Sequence, residues 1–119
     1  MNHLAEAEYR FACLVWEHEP LSSGQLVKLA AAELGWKKST TYTVLKKLCE
    51  RGILQNEGGM VTALIKRDEV QQAESAAVVD RTFGGSLPRF VAAFLNSKPI
   101  SREEAAAIRA LLDEAGREE

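Results

Sequence analysis

A run of short hydroxyl side chains followed by long cations lies near the middle of this 119-residue chain. Ser39, Thr40 and Thr43 come first, and Lys46 and Lys47 follow one to two helical turns later. Small hydroxyl side chains let a helix approach base edges closely, and lysines contact the phosphates that flank a groove. The pattern is therefore typical of a helix that reads duplex DNA.

The charge distribution is compatible with that interpretation. The chain holds 15 Lys and Arg against 17 Asp and Glu, a net charge of −2. Residues 36–51 hold five basic residues and one acidic residue, hence +4, whereas residues 67–119 hold seven basic and ten acidic residues, hence −3. A local basic patch on an acidic protein suits focused phosphate contact, but a solvated helix face has the same composition.

The reading helix is predicted from about Ser39 to Arg51, with Gly52 ending it. Its inward face is a stripe at i, i+3, i+4 and i+7, formed by Thr41, Val44, Leu45 and Leu48. Tyr42 either contacts a phosphate or a thymine methyl, or it covers the start of the helix. The residues predicted to bind DNA are Lys38, Ser39, Thr40, Tyr42, Thr43, Lys46 and Lys47.

Two further helices and a hairpin must position this segment. Apolar residues at helical spacing predict a first helix from Leu4 to His18. A capping box of Ser22 and Gln25 opens a second helix, which ends at Gly35. Two β-prone runs, 53–55 and 60–65, flank Asn-Glu-Gly-Gly and predict a two-stranded hairpin. This element order predicts a mainly α fold, a winged helix-turn-helix domain over 1–66 with a small β-hairpin wing.

Residues 67–119 are predicted to form a helical dimerisation region, with helices over 67–83, 87–95 and 102–115. This region carries more large apolar side chains than three short helices can bury alone. A second copy of the chain would cover them, and packing back onto the N-terminal domain is the alternative. The predicted dimerisation residues are Phe83, Leu87, Phe90, Val91, Phe94, Ile108, Leu111 and Leu112.

The remaining residues point away from catalysis, metals and membranes. No nucleophile–base constellation, phosphate-binding loop or metal-ligand spacing is present, so we expect no enzyme, no cofactor and no metal. Cys13 and Cys49 are predicted as small buried side chains, and His3 and His18 as surface residues. The chain lacks a secretory signal and a membrane-spanning run, which predicts a cytoplasmic protein without membrane insertion.

Three motifs in sequence order resemble the penicillinase repressor (BlaI/MecI/CopY) family. Residues 4–9 and 14–17 look like the family's opening L-T-x-A-E-W and L-W segments. Residues 83–87, Phe94 and residues 100–104 are similar to its dimerisation half. The pattern W-x-x-x-T-x-x-T-x-L-x-x-L-x-x-x-G-x-L of its recognition helix is matched by Trp36, Thr40, Thr43, Leu45, Leu48, Gly52 and Leu54.

The resemblance implies a homodimeric transcriptional repressor on a palindromic double-stranded DNA operator. It also implies induction through a membrane sensor-protease system, with cleavage in the dimerisation half. The family's scissile Asn-Phe pair aligns with Ala93 and Phe94, so the asparagine is missing here. The short wing lacks the usual Arg and tyrosines, and Lys66 and Arg67 could replace its phosphate contacts. The family's copper branch binds metal through C-terminal cysteines, which this chain lacks. A winged-helix module that binds proteins without specific DNA binding is the alternative function.

Overall fold

Six helices and three short strands follow one another in the computed structural model, which describes residues 3–116. The outer ends of the two predicted regions, residues 1–2 and 117–119, lie outside the described residues. The elements are α1 (Glu6–His18), β1 (Leu21–Ser22), α2 (Ser23–Leu34), α3 (Lys38–Glu50), β2 (Leu54–Glu57), β3 (Met60–Ala63), α4 (Arg67–Phe83), α5 (Leu87–Ser97) and α6 (Arg102–Gly116). Three helices followed by a hairpin form the predicted winged helix-turn-helix arrangement.

The strands form one antiparallel sheet in the order β1-β3-β2. Leu21 of β1 pairs with Val61, and Leu54 of β2 pairs with Ala63. The sequence predicts only the β2–β3 hairpin, because a two-residue strand such as β1 is too short to show alternation. The turn of the hairpin is Gly58-Gly59, whose φ angles of 61° and 87° are readily adopted by glycine.

One apolar core joins α1, α2, α3, the sheet and the start of α4. The ring of Phe11 on α1 stacks on Trp36 with centroids 5.2 Å apart, which fixes the segment that leads into α3. The buried apolar residues are Leu4, Phe11, Ala12, Leu14, Val15, Leu21, Leu26, Ala30, Leu45, Leu48, Ile53, Leu54, Val61, Ala63 and Val70. Because α3 contributes to this core with one face only, its opposite face is left to solvent.

Local signals set most helix ends as predicted. The Ser22 hydroxyl accepts a hydrogen bond from the Gln25 N–H at 3.0 Å, and Gly35, with φ of 71°, ends α2. Other ends differ from the sequence prediction. Leu4 is buried but lies before α1, which begins at Glu6. Helix α5 continues past Leu95 to Ser97.

The chain divides into two compact units, one ending at Ala76 and one beginning at Ala77. Helix α4 runs from the first unit into the second. No residue of α5 or α6, all of which the structure describes, is fully buried. The Phe83 and Phe90 rings meet edge to face at 5.5 Å within the second unit. The functional boundary after residue 66 stays a prediction.

Both cysteines are free and half-buried, whereas the sequence predicts them buried. Cys13 and Cys49 border the apolar stripes of α1 and α3 instead of lying within them. Burial and the neighbouring Glu50 raise the pKa of the Cys49 thiol, although a hydrogen bond with the Asn56 backbone opposes them. Over residues 3–116, no helix is long and apolar enough to cross a bilayer.

Candidate nucleic-acid interface

Helix α3 is amphipathic in the way its sequence predicts. Thr41, Leu45 and Leu48 are buried and Val44 is half-buried, so the inward stripe is fixed against the core. The predicted DNA-binding residues are all exposed: Lys38, Ser39, Thr40, Tyr42, Thr43, Lys46 and Lys47. The structure therefore brings them together on the solvent side of one helix and at its beginning.

The first turn of α3 has backbone donors that no side chain caps. Lys37 occupies the N-cap position and makes no side-chain cap hydrogen bond. Two threonine hydroxyls instead donate to carbonyls four residues back, Thr41 to Lys37 at 3.1 Å and Thr43 to Ser39 at 2.9 Å. The N–H groups at this end and the positive end of the helix dipole are suited to an anion such as phosphate.

Tyr42 lies where α3 meets the beginning of α2. Its hydroxyl is 3.5 Å from the Ser23 hydroxyl, at the limit of a hydrogen bond, and its side chain is partly exposed. This position is compatible with both predicted roles, covering the helix start and contacting DNA.

Glu8 of α1 is a buried carboxylate that receives three donors. Its Oε1 accepts from the Ala5 N–H at 3.0 Å and from Arg51 Nη1 at 3.1 Å, and its Oε2 lies 3.1 Å from Lys47 Nζ. Burial alone would raise the pKa of Glu8, but the backbone donor and the two cations outweigh burial and hold the pKa below its ordinary 4.5. Lys47 is thus paired within the protein.

This role of Glu8 was not predicted from the sequence. The available signal lies on α3, where Lys47 and Arg51 each follow a residue of the apolar stripe by three positions. Such residues border the buried face and can reach a neighbouring helix. Arg51 also donates to the His3 carbonyl, and His3 Nδ1 lies 2.7 Å from Glu74 Oε1 on α4.

The cations next to the wing are also paired. Lys66 Nζ lies 3.5 Å from Glu19 Oε2, and Arg67 Nη2 lies 3.3 Å from Glu17 Oε2. The Arg67 guanidinium also lies over the Trp16 ring at 5.5 Å. Within residues 3–116, the cations in and next to α3 that form no ion pair are Lys37, Lys38 and Lys46. Lys37 was not among the predicted DNA-binding residues.

The wing itself offers little to phosphate. Its strands and turn contain Glu57 and no basic residue, and the Glu57 carboxylate accepts a hydrogen bond from Gln55 at 3.0 Å. The exposed side chain beside the turn is Met60. Among the wing and α3, the described cations without an ion pair therefore lie on α3 and at its N-cap.

The predicted dimerisation residues are mostly exposed in the single chain. Phe83 and Phe90 are half-buried. The exposed members are Leu87, Val91, Phe94, Ile108, Leu111 and Leu112. We call these six residues and the exposed Leu95 the apolar surface of the second unit. Ala93, at the predicted cleavage position, is exposed within α5.

Comparison with known proteins decides the family. The family described as penicillinase repressor matches residues 4–114. This chain belongs to the penicillinase repressor family. The penicillinase repressor of Bacillus licheniformis is 24% identical over 115 residues, covering 93% of this chain and 90% of the relative. The methicillin resistance regulatory protein MecI of Staphylococcus aureus is 18% identical over 114 residues, covering 92% and 93%.

One solved structure supports the fold. Staphylococcus aureus MarR has a TM-score of 0.50 at 13% identity, covering 95% of this chain and 71% of that chain. A probable transcriptional regulator from Pseudomonas aeruginosa has a TM-score of 0.47 at 21% identity, covering 96% and 80%. As a member of the penicillinase repressor family, the protein is a transcriptional repressor with a winged-helix fold, and not an enzyme.

Proposed function

We propose that this repressor acts as a homodimer on a palindromic operator, with α3 of each subunit in the major groove of one half-site. The observation that carries the proposal is the exposed surface of α3 and its N-cap, which holds short hydroxyl side chains and three cations that form no ion pair with any residue of 3–116. A groove about 12 Å wide admits one such helix. Because the partner is a DNA operator, we expect the protein to act in the cytoplasm.

In this proposal, side chains of the first turns of α3 contact the bases. Ser39, Thr40 and Thr43 are short enough to let the helix approach base edges. The Thr43 hydroxyl already donates its hydrogen to Ser39, so toward DNA it offers an acceptor and a methyl group. Thr43 therefore suits a base that presents an amino group or a thymine methyl in the major groove.

The cations beside these residues contact the phosphates. Lys37 and Lys38 lie at the uncapped end of α3, and Lys46 lies two turns further along. Each would neutralise backbone charge and release counterions, which makes the affinity depend steeply on salt. Lys47, paired with Glu8, is a weaker candidate than the sequence predicts.

In the proposed dimer, the two copies pair through the apolar surface of the second unit. Seven large apolar side chains stay exposed on α5 and α6, which follow one another in the sequence, and a concentration of exposed apolar side chains marks an interaction site. A second copy of the chain is the partner that we propose, because two linked reading helices match the two halves of a palindrome.

We further infer that induction removes this pairing. Proteolysis in the second unit, triggered by a membrane sensor-protease system, would separate the two copies of α3 and weaken operator binding. The proposed bond joins Ala93 and Phe94, with Ala93 where the family has Asn. Because this bond lies inside α5, the helix must open locally before a protease can hold it in an extended form.

Fluorescence anisotropy with labelled duplexes from upstream of the protein's own gene tests the proposed function. We expect specific binding that weakens steeply as salt rises. Lys38→Ala combined with Lys46→Ala should reduce affinity for all duplexes. Arg10→Ala combined with Lys28→Ala is the matched control, because it removes the same charge from exposed residues of α1 and α2 outside the predicted contacts. Equal affinities of the two variants would contradict the assignment of the lysines.

A protein-binding winged-helix module is the second candidate function. The net charge of −2 and the acidic wing favour it. Nonspecific attraction to DNA is largest at low salt. Absence of any duplex binding by the wild type at low salt would therefore support this alternative and exclude the operator proposal.

A further inference from the structure

Two adjacent lysines of α3 have different environments. Lys46 is exposed and forms no ion pair with any described residue. Lys47, also largely exposed, extends to α1, where its Nζ lies 3.1 Å from Glu8 Oε2. The sequence assigns both lysines the same role, but their ammonium groups have different partners.

The position of the Glu8 carboxylate is fixed, so that it stays within reach of Lys47. Its side chain is mostly buried, and the Ala5 N–H and Arg51 Nη1 fix Oε1 at 3.0 and 3.1 Å. Oε2 is left to accept from Lys47. A fixed, poorly solvated carboxylate is a strong acceptor for a charged donor. To reach a phosphate, Lys47 would have to leave that acceptor, and the carboxylate would lose one of its two cationic partners.

We propose that Glu8 is a positioning residue for DNA binding, which holds Lys47 on the α1 side of α3 so that phosphate contact depends on Lys46 and the start of the helix. The inference rests on the proposed function, since it concerns how the same helix engages DNA. Glu8 sets the number of phosphates that α3 neutralises without touching DNA itself.

The slope of log affinity against log salt concentration tests this inference, because it counts neutralised phosphates at about 0.9 per contact. Wild type and four variants are compared on one duplex: Lys46→Ala, Lys47→Ala, Glu8→Gln and the double variant Glu8→Gln with Lys47→Ala. Glutamine keeps one oxygen for Ala5 and Arg51 and replaces the charged acceptor of Lys47 with an amide.

Lys47→Ala should keep the wild-type slope, whereas Lys46→Ala should make it shallower by about 0.9 for each subunit bound. Glu8→Gln should release Lys47 and make the slope steeper by up to about 0.9 per subunit. The double variant should return to the wild-type slope. A variant with a destabilised α1 would lower the active fraction, which shifts the affinity at every salt concentration without changing the slope.

A slope for Lys47→Ala as shallow as that for Lys46→Ala would overturn the inference, as would a wild-type slope for Glu8→Gln. Either result, with specific binding by the wild type, leaves the proposed repressor function standing. Absence of DNA binding by the wild type overturns the proposed function and this inference together.

Discussion

Substitution of Leu111 by aspartate should dissociate the proposed dimer. Leu111 exposes 66% of its surface in the single chain, the largest fraction among the exposed large apolar residues of the second unit. Full burial of a leucine side chain contributes about 1.5–3 kcal/mol, so covering two-thirds of it contributes roughly 1–2 kcal/mol. A two-fold interface contains the residue twice, which gives roughly 2–4 kcal/mol per dimer.

Leu111→Asp should therefore raise the dimer dissociation constant roughly 30- to 1,000-fold, before any cost of burying an unpaired carboxylate is added. Sedimentation velocity over a concentration series measures that constant. Ala106→Asp is the matched control, because it introduces the same charge on α6 at an exposed position about half a turn away from Ile108. Far-ultraviolet circular dichroism should show unchanged helix content in both variants.

Two results would refute this reasoning. A wild type that stays monomeric at micromolar concentration would show that the apolar surface of the second unit does not pair two copies. Equal dissociation constants for Leu111→Asp and Ala106→Asp would show that the dimer forms through another surface. In the second case, the operator proposal could stand, but its assignment of the dimerisation residues could not.

Three further predictions concern the stability of the fold, measured by chemical denaturation. Leu48→Ala removes a fully buried side chain of α3 and should lower the free energy of unfolding by about 2–5 kcal/mol; a loss below about 1 kcal/mol would contradict its place in the core. Gly35→Ala should lower the free energy of unfolding by about 1–2 kcal/mol, because a φ of 71° is strained for alanine although nothing lies within 4 Å of the added carbon; an unchanged stability would contradict that conformation. Because the folded-state pKa of Glu8 is below 4.5, its stabilising contribution is complete above about pH 4.5 and is lost as pH falls through the folded-state pKa. The stability difference between wild type and Glu8→Gln should therefore shrink in acid, and a pH-independent difference would contradict the ion pairs.

Helical periodicity made the core-facing side of α3 predictable. Thr41, Leu45 and Leu48 repeat at the spacing of one helix face, and local signals such as Gly35 mark where a helix ends. These signals act within a few residues of the sequence, so a single chain displays them. The strand β1 gave no such signal, because two residues cannot show alternation, and its partner β3 lies far along the chain.

The different roles of Lys46 and Lys47 could not be predicted from periodicity. Lys46 and Lys47 are adjacent and chemically identical, so composition and charge treat them alike. What separates them is Glu8, a residue 43 positions before Arg51, which the fold of α1 against α3 brings into contact. The spacing of Glu8 from Leu4 and Phe11 places it on the buried face of α1, but its pairing with Lys47 and Arg51 depends on tertiary packing, which no local pattern specifies.

Whether the first turns of α3 read bases, as we claim, is measured by selecting binding sites from randomised duplexes with wild type and with Thr40→Ala plus Thr43→Ala. We expect the variant to lose preference at one or two base pairs of each half-site. Its ratio of specific to nonspecific affinity should fall about fivefold or more per half-site, at about 1–3 kcal/mol per base pair, while nonspecific affinity changes little. Selection of the same sequence with the same affinity ratio would contradict the claim.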